Sequence, residues 1–238
     1  MYHSVSSADI KPIFIVGHPK SLKLRLNMVS PQSFDRQMGF LAHHGYHVIS
    51  LDEYIKGKKE RKQFSFKTVV ITFDDGYEDN YTNAFPILQK YHFPATIFLI
   101  SEAPETSPDV LNWQQIIDMS KNGISFGSHT RHHAYLPGLT EVQMKDELVG
   151  SKKTIEEHLG KTIDYFAYPS GGFNDEAKAM VAQAGYKAAL ATNRGFDRKN
   201  IDLYELNRIH INNWDNDFTL FGKLSGFYNS FREARQSH

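Results

Sequence analysis

Thr68-Val69-Val70-Ile71-Thr72-Phe73, followed at once by Asp74-Asp75-Gly76, is the stretch on which the fold turns. Six β-branched or aromatic residues in a row are the pattern of a strand covered on both faces, as in a parallel sheet. Moving outward, short strand-like runs recur at residues 2–5, 47–50, 95–100, 124–128, 165–168, 187–191 and 208–211. Amphipathic segments alternate with them. Ser33 reads as the N-cap of a helix with Phe34, Met38 and Leu41 on one face, stopped near Gly45. A helical region runs to about Lys90, with Pro86 starting or kinking its second part. Residues 113–121 form another. Thr140 and Gln143 make a capping box for a long helix ended by Gly160, and Asn174 caps one ended by Gly185. Strand–helix alternation predicts an α/β fold with a parallel sheet, in one domain spanning residues 1–238.

Composition narrows the function classes. The chain has 238 residues, 27 basic and 27 acidic side chains, no net charge and no cysteine. Neutrality argues against a nucleic-acid partner, which requires a basic surplus to displace phosphate counterions. The basic run at residues 56–62, KGKKERK, is read as a solvated loop. Without cysteine there is no disulfide, thiolate-held zinc, iron–sulfur cluster or thiol nucleophile. No stretch approaches the roughly 18 apolar residues of a membrane span, and no protein partner is evident. The N-terminus lacks the features of a signal peptide. The expectation is therefore either a cytoplasmic protein or an extracellular one shown without its leader.

In parallel α/β folds the working residues stand where strands end at their C-terminal edge. Asp74 and Asp75 directly follow one strand, and His129 directly follows another, with His132 and His133 close behind. His129 and His133 are spaced one helical turn apart, so both imidazoles can reach one ion; His132 is the rival ligand. One carboxylate and two histidines leave coordination positions open, which is the arrangement of a catalytic metal site. The neighbouring carboxylate is then free to take a proton.

Thr72-Phe73-Asp74-Asp75-Gly76-Tyr77 and His129-Thr130-Arg131-His132-His133 resemble the first two motifs of the polysaccharide deacetylases of carbohydrate esterase family four. Phe166-Ala167-Tyr168-Pro169-Ser170-Gly171-Gly172 resembles the third. The Tyr2-His3 pair is similar to the first strand of the branch that deacetylates biofilm poly-N-acetylglucosamine.

The resemblance implies a distorted (β/α) barrel of about seven strands and hydrolysis of N-acetyl groups on an N-acetylglucosamine polymer. It implies one divalent ion, zinc by preference, on Asp75, His129 and His133, with Asp74 as general base. The ion would draw the pKa of its water from 15.7 toward roughly 7, and the Ser170 amide would stabilise the oxyanion. Either His3 or His210 would be the general acid. The late Leu-x-Leu-His element of many relatives favours His210, while the biofilm branch favours His3. Tyr77, Tyr168, Tyr135 and Trp214 are candidate faces for sugar rings.

Ala167 stands where the family's third motif carries an arginine that orients the catalytic aspartate. That departure supports an alternative, a sugar-binding protein with little turnover on the same fold. Gly123-Ile124-Ser125-Phe126-Gly127 matches a serine-hydrolase elbow, but with helix and strand in reversed order around Ser125.

Overall fold

The computed structural model describes residues 1–6, 28–193, 195–197 and 201–226. In chain order, β1 (Ser4–Val5) pairs in parallel with β2 (Met28–Val29). Helix α1 (Pro31–His43) follows, then β3 (His47–Val48), α2 (Leu51–Lys59) and β4 (Thr68–Val69), with β3 and β4 parallel. The main sheet comprises β5 (Thr72–Phe73), β6 (Ala95–Leu99), β7 (Ile124–Ser128), β8 (Tyr165–Ala167) and β9 (Ala188–Leu190), parallel and in sequence order. Between them lie α3 (Phe85–Tyr91), α4 (Trp113–Lys121), α5 (Glu141–Lys145), α6 (Ser151–Leu159) and α7 (Asp175–Gln183). Helix α8 (Asp217–Leu224) is the last element among the described residues.

Among the described residues the main regular sheet thus has five strands, where seven were expected. At one edge Tyr2 makes a single parallel bridge to Phe73, and at the other Leu206 makes one to Leu190. The segment read as a last strand, residues 208–211, is not a regular strand. Its Ile209 and Ile211 instead exchange backbone hydrogen bonds with Met1, at 2.8 and 3.2 Å. The stretch 68–73 is also divided. Thr68–Val69 serves β3 and Thr72–Phe73 serves the main sheet, so burial is complete only from Ile71 onward.

Alternation along the strands feeds two cores. Ile97, Leu99, Phe166 and Ala189 point to the helices, packing with Phe34, Leu88, Ile155 and Val181. Phe98, Tyr165, Ala167 and Leu190 face the other way, against Leu51 and Ile55 of α2. Gly127 is glycine because a Cβ there would sit 2.5 Å from the Phe98 ring. Packing thus explains the last glycine of the serine-hydrolase match. Ser125 itself lies near the N-terminal end of β7 with its side chain exposed.

Local signals place the helices with two corrections. Helix α1 starts earlier than expected, with Ser30 as its cap accepting from the Ser33 amide and Pro31 in its first turn. The basic run is mostly the last turn of α2 rather than a loop, and its lysines complement the helix C-terminus. The capping boxes at Asn112/Gln115 and Thr140/Gln143 are both formed. One-turn π-helices interrupt the helical segments at Asn80–Ala84 and Asp146–Gly150. Among the described residues, no helix is long and apolar enough to cross a membrane.

Candidate active site

The C-terminal ends of β5, β7 and β8 converge on one cluster. Asp75 Oδ1 lies 3.5 Å from His129 Nε2 and 3.5 Å from His133 Nε2. This carboxylate oxygen is buried and has no hydrogen-bond partner. A buried acceptor without a donor costs stability, and two facing imidazole nitrogens leave a cation as the natural partner. Asp75, His129 and His133 together have the donor set of a divalent-ion site. His129 Nδ1 is 2.7 Å from the Ala167 carbonyl, which fixes the tautomer with Nε2 turned inward. The Ala167 position therefore contributes through its backbone.

The two histidines do not meet by helical spacing. The chain after β7 is an irregular loop, turned by left-handed Thr130 (φ 68°) and His133 (φ 58°). Asp75 is left-handed as well, at φ 72°. Non-glycine residues rarely adopt this region, and such strain collects at functional sites. Glu147 holds the loop: its carboxylate accepts from the Arg131 and His132 amides at 2.8 and 3.1 Å and meets His132 Nδ1 at 2.7 Å. His132 is thereby turned away from the cluster.

Beside the cluster stands Asp74, buried, with both carboxylate oxygens taken by Arg208: Nη1 to Oδ1 at 2.6 Å and Nη2 to Oδ2 at 2.8 Å. The Arg208 Nε–H also donates to the Ala191 carbonyl at 2.8 Å. Arg208 thus makes to Asp74 the contact expected of the third-motif arginine, from a segment after β9 that is not a regular strand. The sequence reading missed it. The available signal was an arginine inside a short strand-like run, Arg208-Ile209-His210-Ile211, since a buried guanidinium demands a carboxylate partner.

Charge states follow from this packing. Burial alone would raise the Asp74 carboxyl, but the Arg208 guanidinium and His129 outweigh it and hold it well below the usual carboxylate range. Burial, then the Asp74 charge, pushes Asp75 up to about 7. Burial lowers His129 to about 4 and lowers His133 too, so both imidazoles are neutral and ready to ligate at neutral pH. Half-buried Tyr77 rises to about 12 through burial and the Asp75 charge beside its hydroxyl.

The structure brings His3 and His210 together, as adjacency of the chain ends predicts. Their rings are 5.8 Å apart and nearly perpendicular. His3 Nδ1 is buried without a hydrogen-bond partner, and burial lowers this imidazole to about 4, against the pull of Asp74. Ser170 sits at φ 55° in the turn after β8, where Gly171 N–H donates to Tyr168 C=O at 2.8 Å. The Ser170 amide belongs to the third residue of that turn, so it takes no part in closing it.

Tyr168 departs from expectation: its ring is fully buried and its hydroxyl donates to the Tyr204 carbonyl at 3.0 Å. It is a core residue with no face for a sugar. Tyr135 and Trp214 are exposed, and the Tyr135 ring lies against Gly172, next to the Ser170 turn.

Comparison with known proteins matches residues 61–189 to the polysaccharide deacetylase family. A poly-beta-1,6-N-acetyl-D-glucosamine N-deacetylase of Staphylococcus aureus is 30% identical over 95% of this chain and 82% of its own. The Streptococcus pyogenes deacetylase PplD, solved in complex with acetate, superposes with a TM-score of 0.83 at 30% identity, covering 94% of this chain and 96% of that one. IcaB from Ammonifex degensii shares the fold, with a TM-score of 0.76 at 23% identity over 84% and 91% of the two chains.

Proposed function

The chain belongs to the polysaccharide deacetylases of carbohydrate esterase family four, and from that premise we propose that it is a metal-dependent N-deacetylase of an N-acetylglucosamine polysaccharide. The observation that carries this reading is the orphaned, buried Asp75 Oδ1 facing two neutral imidazoles, beside an aspartate locked by arginine. The Staphylococcus aureus relative's substrate supports a β-1,6-linked polymer. If the edge segments at Tyr2 and Leu206 are counted with the five strands, the site lies at the mouth of a seven-segment barrel.

A divalent ion, zinc by preference, held by Asp75, His129 and His133, would polarise the acetyl carbonyl and acidify the attacking water. Asp74, kept ionised by Arg208, accepts that water's proton as the oxygen adds to the carbonyl carbon. The Ser170 amide donates to the oxyanion that forms. As the C–N bond breaks, the proton must reach the amine. His3, buried beside His210 with its Nδ1 unpaired, is the group we assign to pass on to the nitrogen the proton that Asp74 takes up. His210 lies against it as the alternative donor. Acetate and a free amine leave. The reading without turnover loses its main support, because Arg208 supplies the guanidinium that Ala167 lacks.

The test is metal analysis of the purified protein together with acetate and free-amine release from β-1,6-linked N-acetylglucosamine oligomers. One ion per chain and one acetate per new amine are expected. Acetate release undiminished by exhaustive chelation would overturn the reading, as would shortened oligomers that keep their acetyl groups.

A further inference from the structure

Strand β1 and His3 just before it are gripped by the turn that follows the two aspartates. Asp79 Oδ1 accepts from the Val5 amide at 2.9 Å, and its Oδ2 accepts from the Ser4 hydroxyl. Asn80 Nδ2 donates to the His3 carbonyl at 2.8 Å and to Asp79 Oδ1 at 3.0 Å. Asn83 Nδ2 donates to the Val5 carbonyl at 2.8 Å. On the other side, Tyr2 N–H donates to the Thr72 carbonyl and the Asp74 amide donates to the Tyr2 carbonyl, at 2.8 and 3.1 Å. His3 is therefore tied from both flanks to the segment that bears Asp74 and Asp75.

Asn80 is completely buried, and its Oδ1 has no partner. An apolar side chain would avoid that unpaired acceptor, so its placement calls for a reason beyond packing. Its hydrogen bond to the His3 carbonyl is one. The turn is a π-helix, Asn80–Ala84, a rare geometry that is frequent at functional sites.

We propose that Asp79 and Asn80 are positioning residues for the proton-delivering imidazole: they set the backbone of His3 so that its ring addresses the leaving amine. This rests on the reading of His3 given above. An ångström of misplacement in a proton donor is costly where the leaving group is a poor one. An activated phenolate leaves without the proton and registers little.

The experiment uses the zinc-loaded full chain with two substrates, N-acetylglucosamine oligomers and 4-nitrophenyl acetate. Asn80→Ala is expected to lower kcat on the oligomers about 10- to 100-fold and on the ester less than about 3-fold, with zinc content and KM unchanged. In the double variant with His3→Ala, the loss should be no greater than that of His3→Ala alone. Ser4→Ala, which removes one donor to Asp79 at small risk to folding, should show the same selectivity in weaker form, about 3-fold. It carries the test should Asn80→Ala fail to fold. Equal loss on both substrates, or losses that multiply in the double variant, would overturn the proposal while leaving the role of His3 intact. A different pattern, in which His3→Ala itself harms both substrates alike, removes the His3 reading and this one with it.

Discussion

Arg208 and Asp74, 134 residues apart in the chain, meet in a buried bidentate ion pair with contacts of 2.6 and 2.8 Å. Planar guanidinium matched to planar carboxylate fixes both the charge and the orientation of the aspartate. It also makes Arg208 sensitive to conservative change.

Arg208→Lys keeps the charge but loses the fork, and Arg208→Met loses both. In Arg208→Met the Asp74 carboxyl loses the charge that depresses its pKa, while burial still pushes it upward. The acidic limb of the kcat/KM profile should move to higher pH, further for Met than for Lys. Removing one partner of a buried pair should also cost about 3–5 kcal/mol of stability. An acidic limb unchanged in both variants would show that Arg208 does not control the base.

The adjacent aspartates should separate by role. Asp74→Asn should retain the ion and lose most turnover, and Asp75→Asn should lose the ion. Asp74→Asn also strands the Arg208 charge, so its melting temperature should fall, and Asp74→Asn/Arg208→Met should recover part of that loss without activity. Metal analysis, melting curves and acetate release distinguish these outcomes. An emptied site in Asp74→Asn with a full one in Asp75→Asn would reverse the assignment.

Metal uptake should depend on pH through Asp75, whose carboxyl burial and Asp74 raise to about 7. Its folded pKa lies above the unfolded value. Its contribution to the stability of the ion-free protein is therefore fully present below about 4 and is lost as pH rises through 7. Binding an ion requires the ionised form, so affinity should fall about tenfold per pH unit below 7, with release of up to one proton. Calorimetric titration in buffers of different ionisation enthalpy measures that proton, and pH-independent affinity between 5 and 7 would contradict the account.

Glu147 supports the histidine loop without touching the proposed ion. Glu147→Gln keeps its shape but loses the negative charge that gathers the two amides and His132. Metal affinity should fall about 10- to 100-fold, the usual cost of removing an outer-shell support. Competition with a chromophoric chelator would register the change.

Ser170→Ala should leave turnover nearly unchanged, because the donor proposed there is main-chain. Gly171→Ala should abolish it. At φ 72°, a Cβ on Gly171 would lie 1.8 Å from Thr192 Oγ1, so the turn presenting the amide cannot keep its shape. Equal tolerance of the two substitutions would remove this turn from the oxyanion site.

The sequence by itself determined the alternation of parallel strands and helices, most of the helix caps, the residues at the C-terminal strand ends and the acidic and histidine motifs. Each of these depends on neighbours within a few positions: apolar period, capping side chains, and Asp75 or His129 directly after a strand. The tertiary structure decided what depends on distant chain. It shows Arg208 rather than the third motif holding Asp74, and His132 drawn off by Glu147 while His133 turns inward. It shows Tyr168 sunk in the core, and His3 brought beside His210 by Asn80 bonded to its carbonyl, Asp79 bonded to Ser4 and Val5, and Met1 bonded to Ile209 and Ile211. It also broke the run at 68–73 between two sheets and, among the described residues, put five strands in the main regular sheet. Local pattern says which face of an element is apolar. Which buried charge meets which partner is set by long-range packing, where a guanidinium and a carboxylate must be paired or excluded, and no local spacing encodes that choice.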